Sequence, residues 1–202
     1  MMHVVTGGSG SGKSEYAERL IAENASGPLI YVATMMVWDQ EGEKRVRRHR
    51  SMRADRGFIT VEQYTDLKYL DLSKVCAEAV SSGCPGPFSE EKTVCRGDAS
   101  VLLECMSNLV SNEFYRDEKY ALSRILDGIE SLRSGCRELV IVTNEVFSDG
   151  TDYSDETMRY IALLGEVNRL LGGMADTVTE VVYGIPVRIK GQKYREKENM
   201  RV

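Results

Sequence analysis

The sequence predicts an α/β fold: a mostly parallel sheet flanked by helices, closed by a C-terminal β-hairpin. Three observations carry that prediction. Short apolar runs alternate with stretches of helical period, as in successive βα units. The first apolar run breaks into a glycine- and serine-rich loop that leads into a helical stretch. The chain has 202 residues, 42% of them hydrophobic, enough for one sizeable domain with its own core.

Met2 to Thr6 reads as a buried strand, and Ser14 to Glu23 as a helix with Ala17, Leu20 and Ile21 on one face. Leu29 to Thr34 is a second strand. Asp39 to about Arg53 is polar and helical in pattern, with Asp39 as its N-cap. Phe58 to Glu62 is a short strand. Within 66–98, "SKVCAEAVSSG" reads as a helix and "CPGPFSEEK" as an exposed loop. Val101 to Glu104 is a buried strand, followed by helices over Met106 to Tyr115 and Tyr120 to Leu132. Leu139 to Thr143 is a strand and Asp155 to Leu171 a helix. Thr177 to Tyr183 and Pro186 to Ile189 flank "GI" as the closing hairpin. The expected organisation is one catalytic domain over 1–190, a surface insertion at about 70–98, and a charged tail over 191–202.

Composition narrows the function. The formal net charge is −5, so nothing global points to nucleic acid. No apolar run approaches membrane-spanning length, and the N-terminus lacks a basic n-region and a long h-region. Cys76, Cys84, Cys95, Cys105 and Cys136 are odd in number and contain no CxxC pair, which argues against a disulfide framework or a common zinc site. Reduced thiols in a cytoplasmic protein with no membrane span are the expectation.

Gly7, Gly8, Ser9, Gly10, Ser11, Gly12, Lys13 and Ser14 fit G-x-x-x-x-G-K-[ST] between a strand and a helix. Glycines let the loop bring backbone N–H groups against phosphate oxygens, and the helix N-terminus adds further donors. Lys13 is placed to reach the β- and γ-phosphates, and the Ser14 hydroxyl to ligate Mg²⁺. A carboxylate at the end of a neighbouring strand completes such a site. Glu104, at the end of "SVLLE", supplies it.

A second stretch, "EKRVRRHRSMR", sets His49 among Arg45, Arg47, Arg48, Arg50 and Arg53. On a helix Arg45, His49 and Arg53 share a face. Neighbouring cations disfavour imidazolium, and neutral imidazole can attack phosphorus while arginines hold a polyphosphate. Periodicity alone leaves open a solvated basic helix with an incidental histidine. Asn144 and Glu145 end a buried strand where α/β ligands bind. Asn108, Asn112 and Asn168 read equally well as helix-surface amides.

Together these residues resemble the bifunctional adenosylcobinamide kinase / adenosylcobinamide-phosphate guanylyltransferase family of cobalamin biosynthesis. The resemblance rests on "VVTGGSGSGKSEYAE", "YVAT", "DQEGEKRVRRHR", "TVE", "VLLECMSNLVSNE", "VIVTNEV", "LGEVNRLL" and "ADTVTEVVYGIPVRIK", in the family's order. It implies a RecA-like P-loop sheet, assembled as a homo-oligomer on a trimeric pattern. It also implies two activities. One phosphorylates the aminopropanol hydroxyl of adenosylcobinamide with a nucleoside triphosphate, ATP or GTP. The other forms a guanylyl-histidine from GTP and passes GMP to adenosylcobinamide phosphate. On that pattern Lys13 and the nucleophile His49 are catalytic. Nucleotide contacts fall on Gly7 to Ser14, Ala33, Thr34, Met35, Arg50, Ser51, Met52, Arg53, Glu62 and Glu104, with Ser14 and Glu104 also holding Mg²⁺.

The chain departs from the family in four places. Arg48 stands where members often have a first histidine, the spacing from His49 to Glu62 is one residue longer, the stretch from about Leu70 to Asp98 is long, and Phe147 replaces a common glycine. Two other functions fit the motifs alone: a P-loop kinase of another small hydroxyl substrate, and a nucleotide-dependent regulatory module.

Overall fold

A computed structural model of the chain describes residues 1–36, 56–81, 97–146 and 153–191. Seven strands form one sheet: β1 (Met2–Thr6), β2 (Leu29–Ala33), β3 (Phe58–Glu62), β4 (Ser100–Glu104), β5 (Glu138–Val142), β6 (Thr177–Val182) and β7 (Ile185–Lys190). Their spatial order is β3-β2-β4-β5-β1-β6-β7. Every neighbouring pair is parallel except β6 with β7. The described helices are α1 (Lys13–Asn24), α2 (Leu72–Ser81), α3 (Met106–Arg116), α4 (Glu118–Gly135) and α5 (Asp155–Met174), with a 3₁₀ turn at Leu67–Tyr69.

Strand side chains alternate between faces, and each face has its own core. On one, Val5, Tyr31, Phe58, Leu102, Val140 and Val181 pack against Ala17, Leu20 and Ile21 of α1. On the other, Val4, Val32, Val101, Leu103 and Ile141 pack with Leu109, Ile125, Ile129, Leu164 and Val167. Two-sided burial is why β4 and β5 read as continuous apolar runs. The same alternation puts Ala33, Glu62 and Glu104, aligned in register, on the α1 face.

One expectation needs correcting. Glu104 is not on the strand beside β1, because β5 lies between β1 and β4. The crossover from β1 to β2 skips β5 and β4, so α1 lies across the strands it skips and its first turn reaches the end of β4. The mostly parallel sheet flanked by helices, with an antiparallel pair at its C-terminal end, is the architecture expected from the sequence.

Smaller differences come from caps and turns. α1 begins at Lys13, with Gly12 at its N-cap in a left-handed conformation. α4 begins at Glu118 because the Asp117 side chain accepts from the Lys119 N–H. The hairpin turns at Tyr183–Gly184, one residue before the expected "GI", since both residues take the positive φ (51° and 78°) of a tight hairpin turn. α2 starts where the Asp71 carboxylate accepts from the Ser73 and Lys74 N–H groups. It packs Leu72 and Cys76 into the core, so this part of the 70–98 segment is not wholly at the surface. Cys76, Cys105 and Cys136 are free thiols. The helix read over Asp39 to Arg53, the "CPGPFSEEK" loop and the tail beyond Gly191 lie outside the described residues.

Candidate active site

The glycine loop leaves β1 at Gly7 and enters α1 at Gly12. A Cβ on Gly7 would lie 2.5 Å from the Val181 carbonyl oxygen of β6, so only glycine brings the loop this close to the sheet. Gly12 has no side chain with which to cap α1, leaving the first-turn N–H groups available to an anion. The Ser11 hydroxyl oxygen is buried and has no hydrogen-bond partner among the described residues. Lys13 folds back over the loop, its Nζ donating to the Gly8 carbonyl at 3.0 Å.

The residue after Lys13 reaches across to the carboxylate. Ser14 Oγ donates to Glu104 Oε1 at 2.5 Å, and Tyr31 OH donates to Glu104 Oε2 at 2.9 Å. Tyr31 is 3% exposed, and its ring meets Phe58 edge-on at 6.3 Å between centroids. Sequence reasoning missed Tyr31. The available signal was a single polar-headed residue in the apolar strand "LIYVA", on the same face as the strand's exit.

A magnesium ion on a nucleoside triphosphate takes hard oxygen ligands, commonly one or two carboxylates together with the phosphates and water. The adjacent Ser14 hydroxyl and Glu104 carboxylate fit that demand. No group of three or more His, Cys, Asp or Glu side chains suited to a metal occurs among the described residues.

The carboxyl edge of the sheet gathers the other residues. Glu62 lies in register with Ala33, two strands from Glu104 and about 10 Å from it across the sheet, and accepts from Tyr64 OH at 2.8 Å. The Thr34 hydroxyl accepts from the Cys105 N–H at 2.8 Å and donates to the Cys105 carbonyl at 2.7 Å, tying β2 to β4. Met35 is exposed beside it. Asn112 and Asn168 do not end as surface amides. Asn112 donates to the carbonyls of Thr34 and Tyr64, both at 2.9 Å. Asn168 accepts from the Thr143 hydroxyl and donates to the Asn144 carbonyl. Asn144 in turn donates to Ser107 Oγ at 2.7 Å and Cys105 Sγ at 3.2 Å. The Glu145 N–H reaches the Gly7 carbonyl at 3.3 Å, placing the exit of β5 against the glycine loop.

His49, Arg50, Ser51, Met52 and Arg53 lie outside the described residues. The other histidine, His3, is fully buried. Its Nδ1 is 2.7 Å from Thr177 Oγ1 and its Nε2 2.9 Å from Glu138 Oε1. It sits four residues before Gly7, about 13 Å along the strand and away from the phosphate loop.

A glycine loop between first strand and first helix, a lysine and a serine opening that helix, and a strand-end carboxylate bonded to the serine define a P-loop nucleotide-binding protein. The chain belongs to the cobinamide kinase / cobinamide phosphate guanyltransferase family, whose model matches residues 3–80 and 88–189. It is 31% identical over 204 residues to the bifunctional adenosylcobalamin biosynthesis protein CobU of Escherichia coli K12, covering 94% of this chain and all of that one. It is 29% identical, with the same coverage, to CobU of Salmonella typhimurium LT2. The bifunctional adenosylcobalamin biosynthesis protein CobP of Pseudomonas aeruginosa PAO1 is 25% identical over 193 residues, covering 95% of this chain and 99% of that protein. The unmatched stretch between residues 80 and 88 falls inside the segment read as an insertion.

Proposed function

We propose that this chain phosphorylates adenosylcobinamide and then converts adenosylcobinamide phosphate to adenosylcobinamide-GDP. The observation that carries the reading is the convergence of Lys13, Ser14 and Glu104 at the carboxyl edge of the sheet, in a chain of this family.

In the first reaction the substrate hydroxyl oxygen attacks the γ-phosphorus of ATP or GTP. The bond from γ-phosphorus to the bridging oxygen breaks, the nucleoside diphosphate leaves, and the hydroxyl proton passes to solvent. The loop N–H groups and Lys13 hold the phosphates in line, since this chemistry asks mainly for positioning and charge stabilisation. Ser14 and Glu104 would hold Mg²⁺. When bound, it offsets negative charge on the β- and γ-phosphate oxygens.

In the second reaction the neutral imidazole of His49 attacks the α-phosphorus of GTP and pyrophosphate leaves, giving a phosphoramidate. A phosphate oxygen of adenosylcobinamide phosphate then attacks that phosphorus. The phosphorus–nitrogen bond breaks, and His49 is regenerated. Arg50 and Arg53 hold the polyphosphate during attack, with Ser51, Met52, Ala33, Thr34, Met35 and Glu62 completing the nucleotide contacts. Support for these roles is the resemblance of "DQEGEKRVRRHR" to the family pattern and, for Ala33, Thr34, Met35 and Glu62, their place on the edge that carries Glu104.

The protein works in the cytoplasm as a homo-oligomer, a trimer on the family pattern. In support, Tyr183, Ile185, Val187 and Ile189 expose apolar surface on the hairpin and edge strand β7, a surface that a second copy would cover. No described helix is long and apolar enough to cross a membrane.

The decisive test is incubation of the intact protein with labelled GTP and Mg²⁺. A covalent GMP adduct that survives alkali and is lost in acid supports the guanylyl-histidine. Phosphorylation of cobinamide with no adduct would leave a kinase alone. Light scattering checks the oligomer, and a monomer at micromolar concentration counts against it.

A further inference from the structure

We propose that Tyr31 is a positioning residue for the metal–nucleotide site, its phenol holding Glu104 in the one orientation that lets the carboxylate meet the metal. This rests on the proposed role of Ser14 and Glu104 in holding Mg²⁺.

Glu104 ends β4 on a side chain with three rotatable torsions, and the bonds described above anchor both carboxylate oxygens. They differ in kind. Ser14 holds Oε1 with the hydroxyl that the nucleotide-bound state needs for the metal. A hydroxyl that ligates a metal through an oxygen lone pair keeps its proton to donate, so Ser14 can serve the metal and Glu104 together, with its position then tied to the metal. Tyr31 holds Oε2 from a different strand and does no other work in the proposed reaction. Its bond to Glu104 makes no use of a group that the metal also needs.

Three observations make Tyr31 a fixed point rather than a passive partner. Its side chain is almost completely buried in a strand that is otherwise apolar, and a hydroxyl placed there is costly unless it has a partner. Its ring is held in the α1-side core against Phe58, at an interplanar angle of 88°. The registered pairing of Tyr31 with Leu102 and Ala33 with Glu104 sets the phenol two residues below the carboxylate on the same face, aimed up the strand. A rigid donor behind a metal-facing carboxylate orients it and reserves its other oxygen. Loss of such a partner typically weakens metal binding 10–100-fold.

The test uses the full chain with a non-hydrolysable GTP analogue and Mn²⁺ as the probe, read by electron paramagnetic resonance. Four proteins are compared: parent, Tyr31→Phe, Phe58→Leu and Glu104→Gln. Tyr31→Phe should bind Mn²⁺ about tenfold more weakly or worse. Its affinity for the analogue in chelator should stay at the parent's value, and its turnover should recover as Mg²⁺ is raised. Phe58→Leu keeps the hydroxyl but loosens the ring, so it should shift Mn²⁺ binding the same way by less. It also carries the test if Tyr31→Phe folds poorly. Parent-like Mn²⁺ binding by Tyr31→Phe and Phe58→Leu, with Glu104→Gln weakened, overturns the positioning role and leaves the metal site standing. Parent-like binding by Glu104→Gln removes the metal assignment itself, and the inference with it.

Discussion

Gly184, at the tip of the β6–β7 hairpin, donates its backbone N–H to the carbonyl oxygen of Ser11 at 2.8 Å. The phosphate loop is therefore not carried by β1 and α1 alone. Gly7 is pressed against the Val181 carbonyl of β6, and a Cβ on Gly12 would come within 3.4 Å of the Gly184 Cα. The C-terminal hairpin backs the N-terminal loop, so a change that displaces the hairpin is expected to displace the loop as well.

Gly7→Ala tests that contact. The added carbon would sit 2.5 Å from the Val181 oxygen, with φ at 154°. Either β6 or the loop has to move, at a cost of about 1–3 kcal/mol. The urea midpoint should fall, and nucleotide should bind more weakly to the folded fraction. A midpoint equal to the parent's would show that the loop does not rest on β6 as described.

Lys13→Ala removes the one fixed cation of the glycine loop. One nucleotide site serving both reactions predicts that both fall together, by on the order of 10²-fold or more. The exchange removes a side chain that bonds the loop's own Gly8 carbonyl, so the fold should survive. Near-parent turnover of either reaction in a folded variant counts against a shared site.

His49→Ala separates the two chemistries. The acid-labile adduct and GMP transfer should disappear. Phosphorylation of cobinamide should persist, because direct transfer to a hydroxyl needs no protein nucleophile. Arg53→Ala should weaken guanylylation less, since neighbouring arginines partly replace one phosphate contact. Burial of His3 between Thr177 and Glu138 excludes it as a substitute nucleophile in the folded protein. An adduct forming at the parent's rate in His49→Ala would falsify the proposed nucleophile.

Cys136 supplies a pH-dependent prediction. Burial pushes its thiol from 9.0 up to about 11. The unfolded thiol therefore ionises first as pH rises, and the folded state loses stability between about pH 9 and 11. The loss from this one group is on the order of 2–3 kcal/mol, with its contribution fully present below pH 9. Lysines and tyrosines titrate nearby, so the measurement is a difference: Cys136→Ala should show a shallower decline over that window than the parent. Parallel curves would mean that Cys136 ionises alike in both states.

Much of the architecture could be read from local chemistry. The runs "HVVT", "VLL" and "LVIV" are buried on both faces, and their shortness and the turn or helix signals that flank them mark them as strands. Gly7 to Ser14 is one continuous segment whose motif, spacing and flanks are all local, so the loop and Lys13 were legible before any fold was known. Glu104 announced itself as a charge at the end of an apolar run. The segment from Asp66 to Leu72 was harder. Its 3₁₀ turn is three residues long, too short for periodicity to register, and it is held by the Asp66 N–H on Glu113, 47 residues away.

What the sequence by itself determined is that a strand, a phosphate loop and a helix open the chain, and that its motifs follow the order of one family. Tertiary structure decided which side chains meet. Ser14 and Glu104 are 90 residues apart and Tyr31 and Glu104 are 73 apart, so no local pattern pairs them. The pairing depends on α1 crossing β5 and β4 on its way to β2, and on a register that puts Tyr31, Ala33 and Glu104 on one face. Strand order and register are set by how the whole set of apolar faces is buried at once, a global condition that a reading along the chain does not contain.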